Sequence, residues 1–219
     1  MAKKIWLVVL MVVLLLSVSA CGKANDEADV PSEENNEAEA VEEDAEAEAA
    51  EAEAEEADSQ AGSGTIVIYF SATGTTKGIA EKIAAVTGAD IYEIVPAEEY
   101  TSEDLNWNDS NSRTSIEQND PVARPEIASD PVSLDAYDTV YIGYPIWWGV
   151  SPRIMETFVE GYDFDGKTVI PFCTSGSSGI GNSGKNLAEL AGKGNWLEGK
   201  RFGAGASEDE IREWVTSLR

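Results

Sequence analysis

The chain has 219 residues, with 41 acidic side chains against 15 basic ones, a formal charge of −26 at pH 7, two cysteines and no histidine. That balance argues against nucleic acid or bare anionic lipid as a partner, since phosphate surfaces attract cations. Without histidine, and with no carboxylate or thiol cluster at ligand spacing, a metal centre or a histidine-based triad has almost nothing to be built from.

At the N-terminus Lys3 and Lys4 precede an apolar run from Ile5 to Leu16, followed by Ser17-Val18-Ser19-Ala20 and then Cys21. A charged start, an apolar stretch and small residues before a cleavage point are the parts of a secretory signal. The run is short of the roughly 20 residues of a permanent span. Val18 to Cys21 resembles the lipobox of bacterial lipoproteins, so residues 1–20 are expected to be a signal peptide and Cys21 a lipidated first residue. The protein is then expected at the extracytoplasmic face of the cell membrane, where an uncleaved helix would also leave it. From Gly22 to Ser63 there are 17 acids and one base, with an Ala-Glu repeat and only Val30 and Val41 as bulky apolar residues. Such a segment cannot build a core and is expected to be a solvated tether with a coil dimension of about 35 Å. With Cys21 lipidated only Cys173 remains, which leaves no disulfide framework. Residues 64–219 carry 24 acids and 12 bases and suffice for one domain with a sizeable core.

Within that domain strand and helix signals alternate. Thr65 to Phe70 reads as a buried strand running into Ser71-Ala72-Thr73-Gly74-Thr75-Thr76 and an amphipathic helix from Thr75 to Thr87 that ends near Gly88. A loop of hydroxyls and one glycine at a helix N-terminus is a phosphate cradle, because free amides and the helix dipole favour an anion there. It lacks the Gly-Lys-Ser/Thr ending of a triphosphate loop and offers Lys77 as its nearby cation, so a single terminal phosphate is expected. Asp90 to Val95 is a second strand. Residues 97–134 are polar, broken by Pro121, Pro125 and Pro131, and read as a functional loop with a short helix at most. Thr139 to Gly143 is the third strand, leading into Tyr144-Pro145-Ile146-Trp147-Trp148-Gly149. A helix follows from Pro152 to Glu160, then a fourth strand from Lys167 to Cys173, a flexible loop from Thr174 to Ser183, and a helix over 182–191. Trp196 to Ala204 offers a fifth strand, and Ser207 with Glu210 forms a capping box for the last helix.

Five strands separated by helices predict an α/β three-layer sandwich with a five-stranded parallel sheet, and an order of 2-1-3-4-5 would bring three unusual loops to one crevice. Ligands of such sheets gather at the carboxyl ends of strands where the order reverses, and the loops after strands one, three and four all end there.

These residues resemble the flavodoxin family, in particular its short flavodoxin-like bacterial branch, over essentially all of Thr65 to Leu218. The hydroxyl loop has the family's Ser/Thr-x-Thr-Gly-x-Thr form, and Gly143-Tyr144-Pro145-Ile146-Trp147-Trp148-Gly149 and Thr174-Ser175-Gly176-Ser177-Ser178-Gly179 look like its two flavin-ring loops. The resemblance implies noncovalent FMN, its phosphate in Ser71, Ala72, Thr73, Gly74, Thr75 and Thr76, its ring against Pro145, Ile146, Trp147, Trp148 and Gly149, and its pyrimidine edge met by Thr174, Ser175, Gly176, Ser178 and Gly179. At least one of Trp147 and Trp148 is expected on the ring, and Gly149 tolerates either backbone sign, as a peptide flip beside the ring requires. The third loop has no aromatic to cover the outer face. Tyr100 or Trp107 fills that role, or the face admits a substrate. Cys173 reads as a packing residue, and Arg124 either contacts the flavin or caps the polar segment. Two functions follow from the resemblance: an electron carrier serving redox protein partners, or an FMN-dependent NAD(P)H or quinone reductase acting on a small acceptor. The acidic domain favours the carrier, because it repels pyridine-nucleotide phosphate.

Overall fold

The computed structural model describes residues 64–218. The expected signal peptide, the lipidation site Cys21 and the acidic tether lie outside the described residues.

Strands β1 (Thr65–Tyr69), β2 (Asp90–Glu93), β3 (Thr139–Pro145), β4 (Thr168–Thr174), β5 (Asn195–Trp196) and β6 (Lys200–Phe202) form one parallel sheet in the order β2-β1-β3-β4-β5, with β6 also paired to β4. Five helices accompany it among the described residues: α1 (Thr75–Thr87), α2 (Arg113–Asn119), α3 (Arg153–Glu160), α4 (Ser183–Ala191) and α5 (Glu208–Ser217). The strands read as continuous apolar runs because both faces are covered, as parallel sheets require. Ile66 and Ile68 point to one face with Val140, Ile142 and Cys173, where Ile154, Met155 and Phe158 of α3 and Leu187 of α4 close over them. Val67, Tyr69, Tyr141 and Phe172 point to the other, under Ile79 and Ile83 of α1 and Ile211, Trp214 and Val215 of α5. Each such aliphatic, removed from water, contributes about 1.5–3 kcal/mol, so the sheet is fixed by its two faces more than by strand propensity.

The predicted helix from Thr75 to Thr87 forms with those bounds, and Gly88 ends it in the left-handed region at φ 68°. Ser207 accepts from the Glu210 amide and opens α5. Pro152 is the extended N-cap of α3 instead of its first residue. The polar segment 97–134 holds the short helix α2 and is tied down at its ends. Pro96 bridges to Ile127, and Arg124 forms a two-pronged ion pair with Glu160 at 2.7 Å on each arm and reaches Glu156 at 2.9 Å. Arg124 therefore fastens the segment to α3.

The single fifth strand expected over Trp196 to Ala204 is broken into β5 and β6. Val169 pairs with Trp196 and Phe172 with Lys200, so three steps along β4 match four along its neighbour, a one-residue bulge. Lys167 and Val169 turn their carbonyls toward this edge, accepting from Asn195 and Leu197 at 2.8 and 2.9 Å. Pro171, two residues on, faces the same edge and has no N–H to offer, so the ladder is interrupted there. Gly199 fills the gap. A Cβ on it would lie 2.5 Å from the Pro171 carbonyl oxygen and from Ile180 Cδ1.

Candidate functional site

The loops after β1, β3 and β4 meet at the carboxyl end of the sheet and enclose a cleft of about 330 Å³. Its walls include Ala72, Thr73, Thr75 and Thr76 from the first loop, Pro145, Ile146 and Trp147 from the second, and Thr174, Ser175 and Gly176 from the third. The cleft lies where the order turns from β1 to β3, the crevice in which open α/β sheets bind ligands.

The first loop keeps donors in reserve. Gly74 is the N-cap of α1 at φ 81°, with no side-chain cap for the amides behind it, and the space around its would-be Cβ is open. Ser71 Oγ is buried and has no partner among the described residues. An orphaned buried hydroxyl costs about 1–3 kcal/mol unless something bonds it, and an uncapped helix start favours an anion. The Thr73 and Thr75 hydroxyls touch each other at 3.5 Å at the exposed rim. Thr76 is buried, its hydroxyl 2.8 Å from that of Thr174, which joins the first loop to the third. Only one proton of that pair is used between them, leaving the second hydroxyl a donor. Lys77 pairs with Glu93 at 3.3 Å, and the loop's remaining donors are neutral.

The second loop is a tight turn. Trp147 and Val150 exchange backbone bonds at 2.9 and 3.1 Å, and both residues between them have positive φ, Trp148 at 50° and Gly149 at 84°. Two consecutive left-handed residues match the sign pattern of a type I′ turn, unusual for a tryptophan. The turn separates the two indoles. Trp147 packs edge-on against Phe70 and Tyr100, with ring centroids 5.6 and 5.2 Å away, while Trp148 is 48% exposed. Trp148 and Gly149 do not line the cleft, nor do Ser178 and Gly179, and Ser71 and Gly74 lie outside its lining as well, Gly74 with open space around it. Ser178 uses its carbonyl to accept from Ser175 Oγ.

Neither aromatic weighed for the outer face lines the cleft. Trp107 is 73% exposed, and Tyr100 is spent on the Phe70–Trp147 cluster, under the Arg113 guanidinium at 4.0 Å and donating to Glu117 at 2.7 Å. Burial and that carboxylate push the Tyr100 phenol well above its ordinary range. Leu105 is the residue of the polar segment that reaches the cleft, and Ala204 completes the wall. Sequence reasoning missed both. A leucine between polar neighbours was the available signal for the first, and nothing distinguished the second. It also missed two holders. Gln118 of α2 donates to the carbonyls of Trp147 and Ser151 at 2.9 and 3.2 Å, and Arg201 of β6 donates to those of Ser175 and Gly176 at 2.6 and 2.7 Å. Cys173 is fully buried, and burial pushes its thiol up to about 12, so it packs and does not ionise near neutral pH.

A doubly wound parallel sheet with an anion cradle after its first strand and an indole-walled cleft at its switch point defines an α/β mononucleotide-binding protein. The chain belongs to the flavodoxin family, whose model, described as Flavodoxin, matches residues 64–218. Among solved structures it is similar to a flavoprotein of Bacteroides eggerthii, at 50% identity and TM-score 0.66, covering 70% of this chain and 96% of that one. A flavoprotein of Bacteroides uniformis is 49% identical with TM-score 0.67, covering 69% and 97%. A Lactobacillus acidophilus flavoprotein crystallised in complex with FMN shares the fold at 24% identity and TM-score 0.52, covering 69% and 97%. No curated protein matches the sequence. FMN is the family's cofactor, and the residues here fit it: the orphaned Ser71 hydroxyl, the uncapped α1 amides and the rim hydroxyls suit a phosphate monoester, and the apolar wall suits a planar ring.

Proposed function

We propose that this protein is an FMN-dependent electron carrier, held at the extracytoplasmic face of a cell membrane by a lipid on Cys21. The observation that carries the reading is the convergence of three sequence-distant loops on one cleft, with neutral phosphate donors on one wall and an indole on another. When bound, FMN supplies one- and two-electron chemistry whose potential the surrounding protein tunes. Ser71, Thr73, Thr75 and the first amides of α1 would hold the phosphate, Pro145 and Trp147 would bound the ring, and Ser175 and Gly176 would meet its polar edge. What favours a carrier over an enzyme is charge. With 24 acids against 12 bases, residues 64–219 repel pyridine-nucleotide phosphates and attract basic faces of redox proteins, and they leave no attraction for nucleic acid.

The first test is an absorbance spectrum of the purified protein: flavin bands released by acid are expected, and a colourless protein that takes up no FMN rejects the cofactor. Rapid mixing with NADPH separates the functions. Slow or absent bleaching is expected of a carrier, whereas fast direct bleaching would make the protein an FMN-dependent NAD(P)H or quinone reductase for a small acceptor. Cys21→Ala tests the anchor, with loss from the membrane fraction expected and full retention counting against lipidation.

A further inference from the structure

Arg201 sits on β6 at the edge strand, behind the third loop and outside the cleft. One terminal nitrogen donates to the Ser175 carbonyl at 2.6 Å and to the Gly176 carbonyl at 2.7 Å, and Nε donates to Ser175 Oγ at 3.3 Å. These partners are carbonyls and a hydroxyl, and among the described residues no carboxylate pairs with the guanidinium. Behind the cleft wall a fixed cation is thus left without a carboxylate partner, in a domain with twice as many acids as bases.

Its bonds also set the direction of two peptides. A planar trans peptide turns the N–H of the next residue opposite to its carbonyl. With the carbonyls of Ser175 and Gly176 tied back to Arg201, the amides of Gly176 and Ser177 face away from it, and neither finds an acceptor among the described residues. Gly176 is itself part of the cleft wall. Released from Arg201, the same peptides are free to turn carbonyl lone pairs into the cleft, where they would repel negative charge.

We propose that Arg201 is a positioning residue that makes the cleft discriminate in favour of reduced FMN, by aiming the Gly176 and Ser177 amides at the ring's polar edge and by backing them with its own charge. This rests on the reading of the cleft as the FMN site. Two electrons taken up with one proton leave the reduced ring one negative charge richer than the oxidised ring, and charge at that edge is where a flavin's electronics are tuned. Donors and a cation behind the edge therefore strengthen the reduced complex more than the oxidised one. Arg201 offsets the lowering of the potential that the acidic domain imposes.

The test uses the full-length chain stripped of flavin, with Kd measured for oxidised FMN and, anaerobically, for dithionite-reduced FMN. Arg201→Met is expected to weaken the reduced complex about tenfold more than the oxidised one, which lowers the two-electron midpoint potential by about 30 mV. Arg201→Lys keeps the charge and is expected to keep most of the preference. Arg201→Gln, which keeps donors without the charge, takes the place of the methionine variant should that one fail to fold, with the same loss expected. Equal weakening in both redox states, or none in either, would overturn the proposal and leave Arg201 a structural clamp. Absence of FMN uptake by the unmodified chain would instead remove the cofactor reading on which it stands.

Discussion

Ser71 and Thr76 show how differently two hydroxyls of one loop are used. The Ser71 oxygen is buried and idle, so the protein bears its desolvation without return until a ligand accepts its proton. Ser71→Ala is therefore expected to leave the flavin-free protein equally stable or up to about 1 kcal/mol more stable, while weakening FMN by about 1.5–3 kcal/mol, the worth of a hydrogen bond to a charged group. Paired urea titrations with and without FMN measure both signs. A loss of stability without the cofactor would mean that the hydroxyl already has a partner. Thr76 is spent on Thr174 as well as on the cleft, so Thr73→Ala with Thr76→Ala is expected to cost about 3 kcal/mol of FMN affinity plus some stability of the empty protein. Unchanged affinity would refute the phosphate placement. The loop's chemistry was legible in the sequence because hydroxyls, a glycine and a helix start are local features. That Thr76 spans to Thr174, 98 residues away, was not, because side-chain pairing across loops depends on strand register.

At the scale of elements, local grammar carried α1, α5 and the central strands. Gly88, Ser207 and the apolar runs act within a turn or two of themselves, which is why the bounds of α1 and the start of α5 could be read directly, while the central strands end one or two residues away from their expected limits. The fifth strand could not be read this way, since its break comes from Pro171 on a different strand. Gly199→Ala is expected to destabilise the domain by about 1–3 kcal/mol, because its Cβ would meet backbone oxygen at 2.5 Å with no room to relax. Equilibrium urea unfolding checks it, and a neutral result would mean that the bulge is pliable. The polar segment 97–134 posed the converse difficulty. Its few apolar residues gave no period, and its place is set by long-range ties such as Arg124 to Glu160 and Gln118 to Trp147, which no local pattern announces.

Across the described domain, burial and hydrogen bonding to carboxylates hold several acidic protons above their ordinary range. The Cys173 thiol is pushed up to about 12 from 9.0 by burial, Tyr137 to about 12 from 10.0 by its bond to Asp90, and Tyr144 upward by burial. Because each folded value is raised, the stability these groups contribute is complete below the unfolded values and is lost as pH rises through the folded ones. Unfolding midpoints in urea are expected to hold up to about pH 9 and then fall steadily toward pH 12, with Cys173→Ala delaying the onset toward pH 10. A flat profile from pH 9 to 11 would show that these groups ionise freely in the folded protein. By itself the sequence determined the alternation of strands and helices, the hydroxyl-rich loop at the start of α1 and, through its three loop motifs, the family and with it the strand order. Each of these is encoded in short-range periodicity, capping and turn chemistry, or in the order of the motifs along the chain. Only the tertiary structure decided that Trp147 walls the cleft while Trp148 faces solvent, that Leu105 and not Tyr100 reaches it, and that Arg201 and Gln118 hold its loops. Those outcomes follow from the sign of a backbone dihedral and from contacts between residues far apart in the chain, which exist only once the sheet has brought its carboxyl ends together.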